Sequence, residues 1–414
     1  MATAKTAQAD QIARYAGTFH EVIGGGHHVA SPFGAWLLLA LCAPATSGAD
    51  ARALAEVLGS GTDEAAATAS ALLEAPHPLV AAAAAVWGRA GEGDERWLAG
   101  LPPAVARGPV PDQHALDQWA RERTFGLIKE FPLQVTADVY VLLATALATK
   151  VSWDYPFDLV PGSELGGPWS KRLARVLRSP NRVGHSAFIA ATAQAGDVAV
   201  HVGDARGGLL VASVIAAEDV PRADVLAVAH KIAIACARGE QVPRRSLPDL
   251  PTGEAPLWSV RDEPSADEIG ERCCAVLPAW SATDSYDLSD PRLGFAAAAA
   301  AIGHGDPWEA RQAATASFSR TGFEAAAVSA MAVRLAMMPR RGVLRIVRLR
   351  FGHPYAVVAV TVDEAARRAS RSGQSGRSSR GSSASPAGPW HGVPVFSAWV
   401  AEPRSAEAAD DQAG

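Results

Sequence analysis

Thr321-Gly322-Phe323-Glu324-Ala325-Ala326-Ala327-Val328-Ser329-Ala330-Met331-Ala332-Val333-Arg334-Leu335 admits two readings. At period two, Phe323, Ala325, Ala327, Ser329, Met331, Val333 and Leu335 share one face of a strand. The other face holds Glu324, Ala326, Val328, Ala330, Ala332 and Arg334, of which only the two charged residues demand solvent. No proline interrupts the run before Pro339. Such a segment can stand exposed as a loop and still slide into a sheet. Alanine, methionine, leucine and arginine are also good helix formers, and the local pattern by itself favours a helix. The rest of the chain has to decide.

The chain has 414 residues, 49% of them hydrophobic and 20% charged, enough to bury a sizeable core and to exclude global disorder. A formal net charge of −5 gives no general attraction to nucleic acid or to an anionic membrane. No run of about twenty apolar residues predicts a spanning helix. Residues 1–26 carry no compact apolar stretch before a small-residue cleavage site, so a cytoplasmic location is expected. Four cysteines, Cys42, Cys236, Cys273 and Cys274, are too few for a disulfide scaffold and read as free, mostly buried thiols. The alanine, glycine and arginine content fits a GC-rich genome and says nothing of function.

Helical spacing covers residues 5–22, closed by Gly24-Gly25-Gly26. Ser31-Pro32 opens an apolar helix through Leu41, with the serine available as a cap and the proline preset for the first turn. Short helices follow at 50–58 and 64–73, and an amphipathic one at 114–129 with a break at Thr124-Phe125-Gly126. Strand-like runs then dominate: 140–147, 197–202, 208–215, 275–280, 313–318, 344–349, 355–362 and 393–400, with one further helix at 222–238. Helices crowd the first third and strands the rest, which predicts an α+β fold. A domain over 1–403 is expected, with a disordered Ser/Arg/Gly-rich insertion at 365–388 and a frayed tail at 404–414.

Six separated segments then agree. His27-His28-Val29-Ala30-Ser31-Pro32 resembles the strand that enters a helix through Ser-Pro in the serpin family. Leu116-Asp117-Gln118-Trp119 with Thr124, Gly126 and Ile128 is similar to that family's tryptophan, threonine-x-glycine, isoleucine pattern. Ala144-Thr145 through Lys150, Trp153, Pro156 and Phe157 resembles its strand ending in lysine, tryptophan and proline-phenylalanine. Leu277-Pro278, Tyr286-Asp287-Leu288 and Leu293-Gly294-Phe295 look like its Leu-Pro, Tyr-Asp-Leu and Leu-Gly run. Phe351-Gly352-His353-Pro354-Tyr355 and residues 393–403 look like its two closing strands. Their order and spread over residues 27–403 make the resemblance specific, and it is to the bacterial type of serpin.

The resemblance implies a single domain of N-terminal helices on three mostly antiparallel sheets with an exposed reactive loop. It places the opening segment at the loop and its hinge, which reverses the local preference for helix. It implies a serine protease inhibitor that acts as a suicide substrate: the loop is cleaved, inserts into the central sheet and drags the acyl-enzyme with it. About fourteen residues at roughly 3.3 Å each would carry the protease on the order of 45 Å, pulling its serine out of the oxyanion hole. The hinge is then Gly322, Phe323, Glu324, Ala325, Ala326, Ala327 and Ser329. Two departures stand out: Phe323 where threonine or serine is usual, and Arg320 near the usual position of an acid. Counting forward from Gly322 puts the reactive bond at Ala336–Met337, suited to an elastase- or subtilisin-like enzyme; counting back from Phe351 leads to Pro339 and to Arg340–Arg341, suited to a trypsin-like one. The resemblance also leaves open a non-inhibitory binding protein whose loop is cleaved without insertion. It implies a monomer with a serine protease as partner, no cofactor and no metal, and an extracellular location as the alternative to the cytoplasmic one.

Other candidates carry less. His27-His28 beside three glycines lacks a second ligand cluster or a P-loop lysine and reads as a structural turn. Cys273-Cys274 lacks the two-residue spacer of a redox pair. Gly184-His185-Ser186 lacks the second glycine of a hydrolase elbow. Arg334, Arg340, Arg341, Arg345, Arg348 and Arg350 form a basic strip that reads as a solvated strand face.

Overall fold

Helix α2 (Pro32–Cys42) is the part of the chain around which the rest assembles: all eleven of its residues are buried. Its sequence has no charged residue to present to water, so every face must be covered. Helices α1 (Ala2–Ile23), α3 (Gly48–Leu58) and α4 (Thr62–Glu74) cover it on the outside. A computed structural model describes residues 2–88, 95–124, 126–131, 133, 135, 141–149, 152–265, 270–303, 308–322, 342–363 and 388–406.

Three sheets complete the fold. The first joins β1 (His28–Ala30), β17 (Pro394–Val400), β16 (Tyr355–Thr361), β9 (Leu209–Ile215), β8 (Gly196–Ala205) and β7 (His185–Thr192), in that order and antiparallel throughout. The second orders β10 (Gly253–Glu254), β11 (Trp258–Ser265), β15 (Gly342–Arg350), β12 (Gly270–Leu277), β6 (Arg175–Arg178) and β5 (Asp158–Pro161). The third orders β13 (Trp280–Asp287), β14 (Trp308–Phe318), β4 (Val141–Thr149), β2 (Val80–Gly88) and β3 (Ala106–Gly108). Helix α7 (Arg222–Arg238) packs on β9 and β16, α6 (Gln113–Arg123) lies over β2 and β4, and α5 (Glu95–Gly100) and α8 (Phe295–Gly303) fill the remaining connections. The expected α+β architecture of helices on three mostly antiparallel sheets is what the chain adopts.

Several expected boundaries move for identifiable reasons. The run expected as one strand over 275–280 is split between β12 and β13, which belong to different sheets. Pro278 stands between them and has no N–H to continue a ladder. The helix expected through Lys129 stops at Arg123. There the Thr124 hydroxyl donates to Ala120 O (2.7 Å) and accepts from Ile128 N (3.0 Å), and Gly126 takes φ +79°, so the last turn closes on itself. The frayed tail expected from Arg404 begins later than that. Arg404 N donates to Ala279 O, Ser405 Oγ accepts from Arg175 N, and Ala406 is fully buried. Residues 407–414 and all of the expected insertion at 365–388 except Gly388 lie outside the described residues.

Candidate functional site

Strands β4 and β14 run parallel and pair directly over seven positions, from Val141–Trp308 to Leu147–Ala314. They are neighbours in a sheet whose other central pair, β2 and β4, is antiparallel. Parallel ladders are slightly weaker per residue than antiparallel ones, so this seam and the short parallel β2–β3 pair at the sheet's edge are its weaker lines. On its inner face lie Ala310, Gln312, Ala314, Ala316 and Phe318 from β14, with Val141, Leu143 and Thr145 from β4. On its outer face Leu142, Ala144, Ala146 and Ala313 pack with Leu116 and Ala120 of α6. Trp119 closes that layer, edge-on to Trp87 at 5.1 Å and to Phe131 at 5.7 Å. Small side chains on both faces of the seam leave little to displace if another strand enters.

The seam is tied to the core helix through Ser31 and Gln312. Ser31 is the N-cap of α2: its Oγ accepts from Gly34 N (3.1 Å) and donates to Val395 O (2.8 Å), and Pro32 holds the first helical position. Gln312 clamps the Ser31 backbone from both ends, its Oε1 accepting from Ser31 N (3.0 Å) and its Nε2 donating to Ser31 O (2.7 Å). Thr145, directly across the seam, keeps a buried hydroxyl with no hydrogen-bond partner among the described residues.

At the end of β14 the chain turns back. Ser319 N donates to Gly322 O (2.9 Å), and the Ser319 hydroxyl also donates to that carbonyl (2.8 Å). Gly322 sits at φ +155°, a conformation that L side chains rarely adopt. The turn rests on a saddle formed by residues 152–157. Ser152 bridges Gly322, Trp153 N donates to Thr321 O (3.1 Å), and Trp153 Nε1 donates to Ser319 O (3.1 Å). Phe157 N donates to Arg320 O (3.0 Å), and Arg320 Nε returns a bond to Phe157 O (3.2 Å). Trp153 and Phe157 are buried with their rings 5.1 and 5.5 Å from Phe318. Pro156, half-buried, completes the saddle, and Pro354 leads into β16.

Ser31, Pro32, Trp153, Pro156, Phe157 and Gly322 are thus brought to the ends of one seam, with Trp119 over its middle; Pro354 lies in another sheet. Lys150, the hinge residues Phe323, Glu324, Ala325, Ala326, Ala327 and Ser329, and the bond candidates Ala336, Met337, Arg340 and Arg341 lie outside the described residues. Of the basic strip, Arg345 meets Asp262 (2.9 Å), Arg348 meets Glu164 (3.6 Å) and Arg350 bonds Glu254, so these charges are met within the fold. Gln312 was not singled out by the sequence reading, and Thr145 only as the start of a strand motif. Their signal was available: each is a polar residue at an inward position of an otherwise apolar strand.

A five-stranded sheet whose two central parallel strands touch, and whose outgoing chain doubles back over their end, decides the fold. It is the serpin fold. Solved serpins superimpose over nearly the whole chain: Serpin48 of the insect Tenebrio molitor at TM-score 0.60 and 13% identity, covering 95% of this chain and 98% of that one. Tengpin, a thermophilic serpin in its native state, matches at TM-score 0.62 and 11% identity, covering 95% and 93%. Human thyroxine-binding globulin in complex with thyroxine matches at 0.63 and 12%, covering 97% and 99%. No protein-family model matches the sequence, and no curated protein matches it. In the serpin fold of this chain the seam is closed over the paired positions and no strand separates β4 from β14 there.

Proposed function

We propose that this chain is a serine protease inhibitor of the suicide-substrate kind, acting as a monomer without cofactor or catalysis of its own. The observation that carries this reading is the direct parallel pairing of β4 and β14 beside the Ser319–Gly322 turn. A strand continuing from that turn runs antiparallel to β14 and, because β4 and β14 are parallel, antiparallel to β4 as well. Insertion would replace one parallel ladder by two antiparallel ones. A strand of about ten residues adds on the order of ten hydrogen bonds worth about 1 kcal/mol each net.

The register that follows from the turn sets Phe323 opposite Phe318, Ala325 opposite Ala316, Ala327 opposite Ala314 and Ser329 opposite Gln312. The small hinge residues would then meet small residues. Phe323 would meet the Phe318, Trp153 and Phe157 cluster, which is a fitting site for a ring. Val333 would reach Trp308, so a protease acylated at Ala336 would be carried the length of β14. Cleavage is placed at Ala336–Met337, with Arg340–Arg341 as the alternative.

The test is to mix the chain with elastase-, subtilisin- and trypsin-type proteases and resolve the products on a denaturing gel. A covalent, detergent-resistant band of summed mass supports the reading; cleavage of the loop with no such band from any protease refutes it. The second reading, a non-inhibitory binding protein whose loop is cut without insertion, is favoured by the likeness to thyroxine-binding globulin, solved in complex with thyroxine. It predicts a melting temperature that does not change when the loop is cut.

A further inference from the structure

The saddle that holds the Ser319–Gly322 turn rests in its turn on two histidines. His185, the first residue of β7, and His201, on β8, lie side by side with ring centroids 5.4 Å apart. His185 Nε2 is 2.8 Å from Tyr155 O, and a carbonyl can only accept, so that nitrogen carries the proton. In the neutral ring Nδ1 is then an acceptor, and it takes a bond from His201 Nε2–H at 3.1 Å. This leaves His201 Nδ1 as a bare lone pair, fully buried, with no partner among the described residues. The Phe157 ring sits 4.8 Å from His185 and 5.3 Å from His201. The neutral pair therefore supports the second half of the saddle, Tyr155 by a hydrogen bond and Phe157 by its ring.

A proton has no comfortable place in this arrangement. On His201 Nδ1 it would be a buried N–H without an acceptor. On His185 Nδ1 it would face the His201 Nε2–H, and a tautomer change in His201 would again leave a buried N–H unpaired. Burial holds both rings below the ordinary histidine range, most strongly His201, which His185 depresses further. The charged groups around the pair are Asp154 and Asp158 on the saddle strand, Asp204 on β8, Arg206 paired to Asp154, and Arg320 from the turn above. The three carboxylates favour a charged His185.

We propose that the His185–His201 pair is an acid-sensitive latch: a proton taken up by the pair loosens the Trp153–Phe157 saddle and releases the Ser319–Gly322 turn at the mouth of the β4–β14 seam. Its consequence for inhibition rests on the seam being the insertion slot, but the latch itself is a property of residues 152–157, 185, 201 and 319–322. The released state binds a proton with an ordinary histidine affinity near pH 6.5. Going from pH 7.5 to pH 5 should then favour release on the order of thirtyfold per proton bound.

The test is amide hydrogen exchange at Trp153 and Phe157, whose N–H groups bind Thr321 O and Arg320 O. Rates are corrected for the intrinsic pH dependence and measured on the full chain at pH 7.5 and pH 5. Wild type should lose protection at both amides by about thirtyfold, and the double variant His185→Gln, His201→Phe should show a flat profile. If wild-type protection is unchanged, or the double variant loses it equally, the proposal is overturned. Should that variant not fold, imidazole titration by NMR in wild type decides instead. Loss of protection must follow His185 and His201, and a midpoint that follows His20 and His28 instead overturns the latch. None of these readouts depends on protease complex formation, so failure of the inhibitor reading and failure of the latch are separable.

Discussion

Gln312 and Thr145 face each other across the parallel seam, and only one of them is satisfied. The amide of Gln312 spends one N–H and one carbonyl lone pair on the Ser31 backbone, and the Thr145 hydroxyl beside it makes no hydrogen bond among the described residues. The closed seam thus contains a built-in defect at the level where an entering strand would bring Ser329.

Thr145→Val removes an unpaired buried hydroxyl without opening a cavity. The closed form should gain about 1 kcal/mol in chemical denaturation. A loss instead of a gain would mean that the hydroxyl has a partner in solution.

Gln312→Leu should have the opposite effect. It strands the Ser31 N–H inside the core and leaves Ser31 O with Ala35 N (3.3 Å) alone, and a cost of about 1–3 kcal/mol is expected. Ser31→Ala removes the cap of α2 and the bond to Val395 O, at about 1–3 kcal/mol. Both are read from urea midpoints at constant slope.

Stability should fall in mild acid. Ser397 Oγ–H donates to His20 Nε2 (2.6 Å), His20 Nδ1–H to His28 Nε2 (2.9 Å), and His28 Nδ1–H to Gly26 O (2.8 Å), a chain of bonds that needs both rings neutral. Burial pushes His28 down to about 4 and His20 lower than its usual range. The unfolded chain therefore takes up protons first, near pH 6.5, and folding is penalised as the pH falls from there toward about 4. Urea midpoints at pH 7.5, 6 and 5 should decline in that order; a flat series contradicts the network.

Phe323→Glu would place a carboxylate beside Phe318 and Trp153 on insertion. Under the proposed inhibitory function it should leave cleavage intact and abolish the covalent band. Phe323→Thr should keep the band. Equal complex yield from the glutamate variant would show that residue 323 does not enter the sheet.

The reactive bond is settled by sequencing the released C-terminal fragment. A new N-terminus at Met337 after elastase-type attack fits the first choice, and one at Arg341 after trypsin-type attack fits the second. A fragment beginning inside β15 would fit neither.

The sequence disclosed the fold better than the site. Ser31-Pro32, Trp153 and Phe157 were legible because caps and buried aromatics sit in short local patterns, and α2 announced its burial by having no polar face. What escaped was set by partners distant in the chain. Gln312 has a role only because Ser31 lies 281 residues away in sequence, and His201 only because β7 and the saddle fold over it. The alanine-rich segment after Gly322, outside the described residues, has a local pattern that fits helix and strand alike.

The pairing of β1 with β17 and the bond from Ser31 Oγ to Val395 O join the two ends of the chain. During synthesis, then, the cap of the central helix and the edge of its sheet stay unfinished until residues 394–400 have left the ribosome. Contacts of such long range are slow to form. The seam strands β4 and β14 emerge earlier than that. Order of emergence, as well as final stability, therefore bears on how a newborn molecule completes its helical core. Chains truncated before Pro394 should therefore be caught by limited proteolysis with α2 still open.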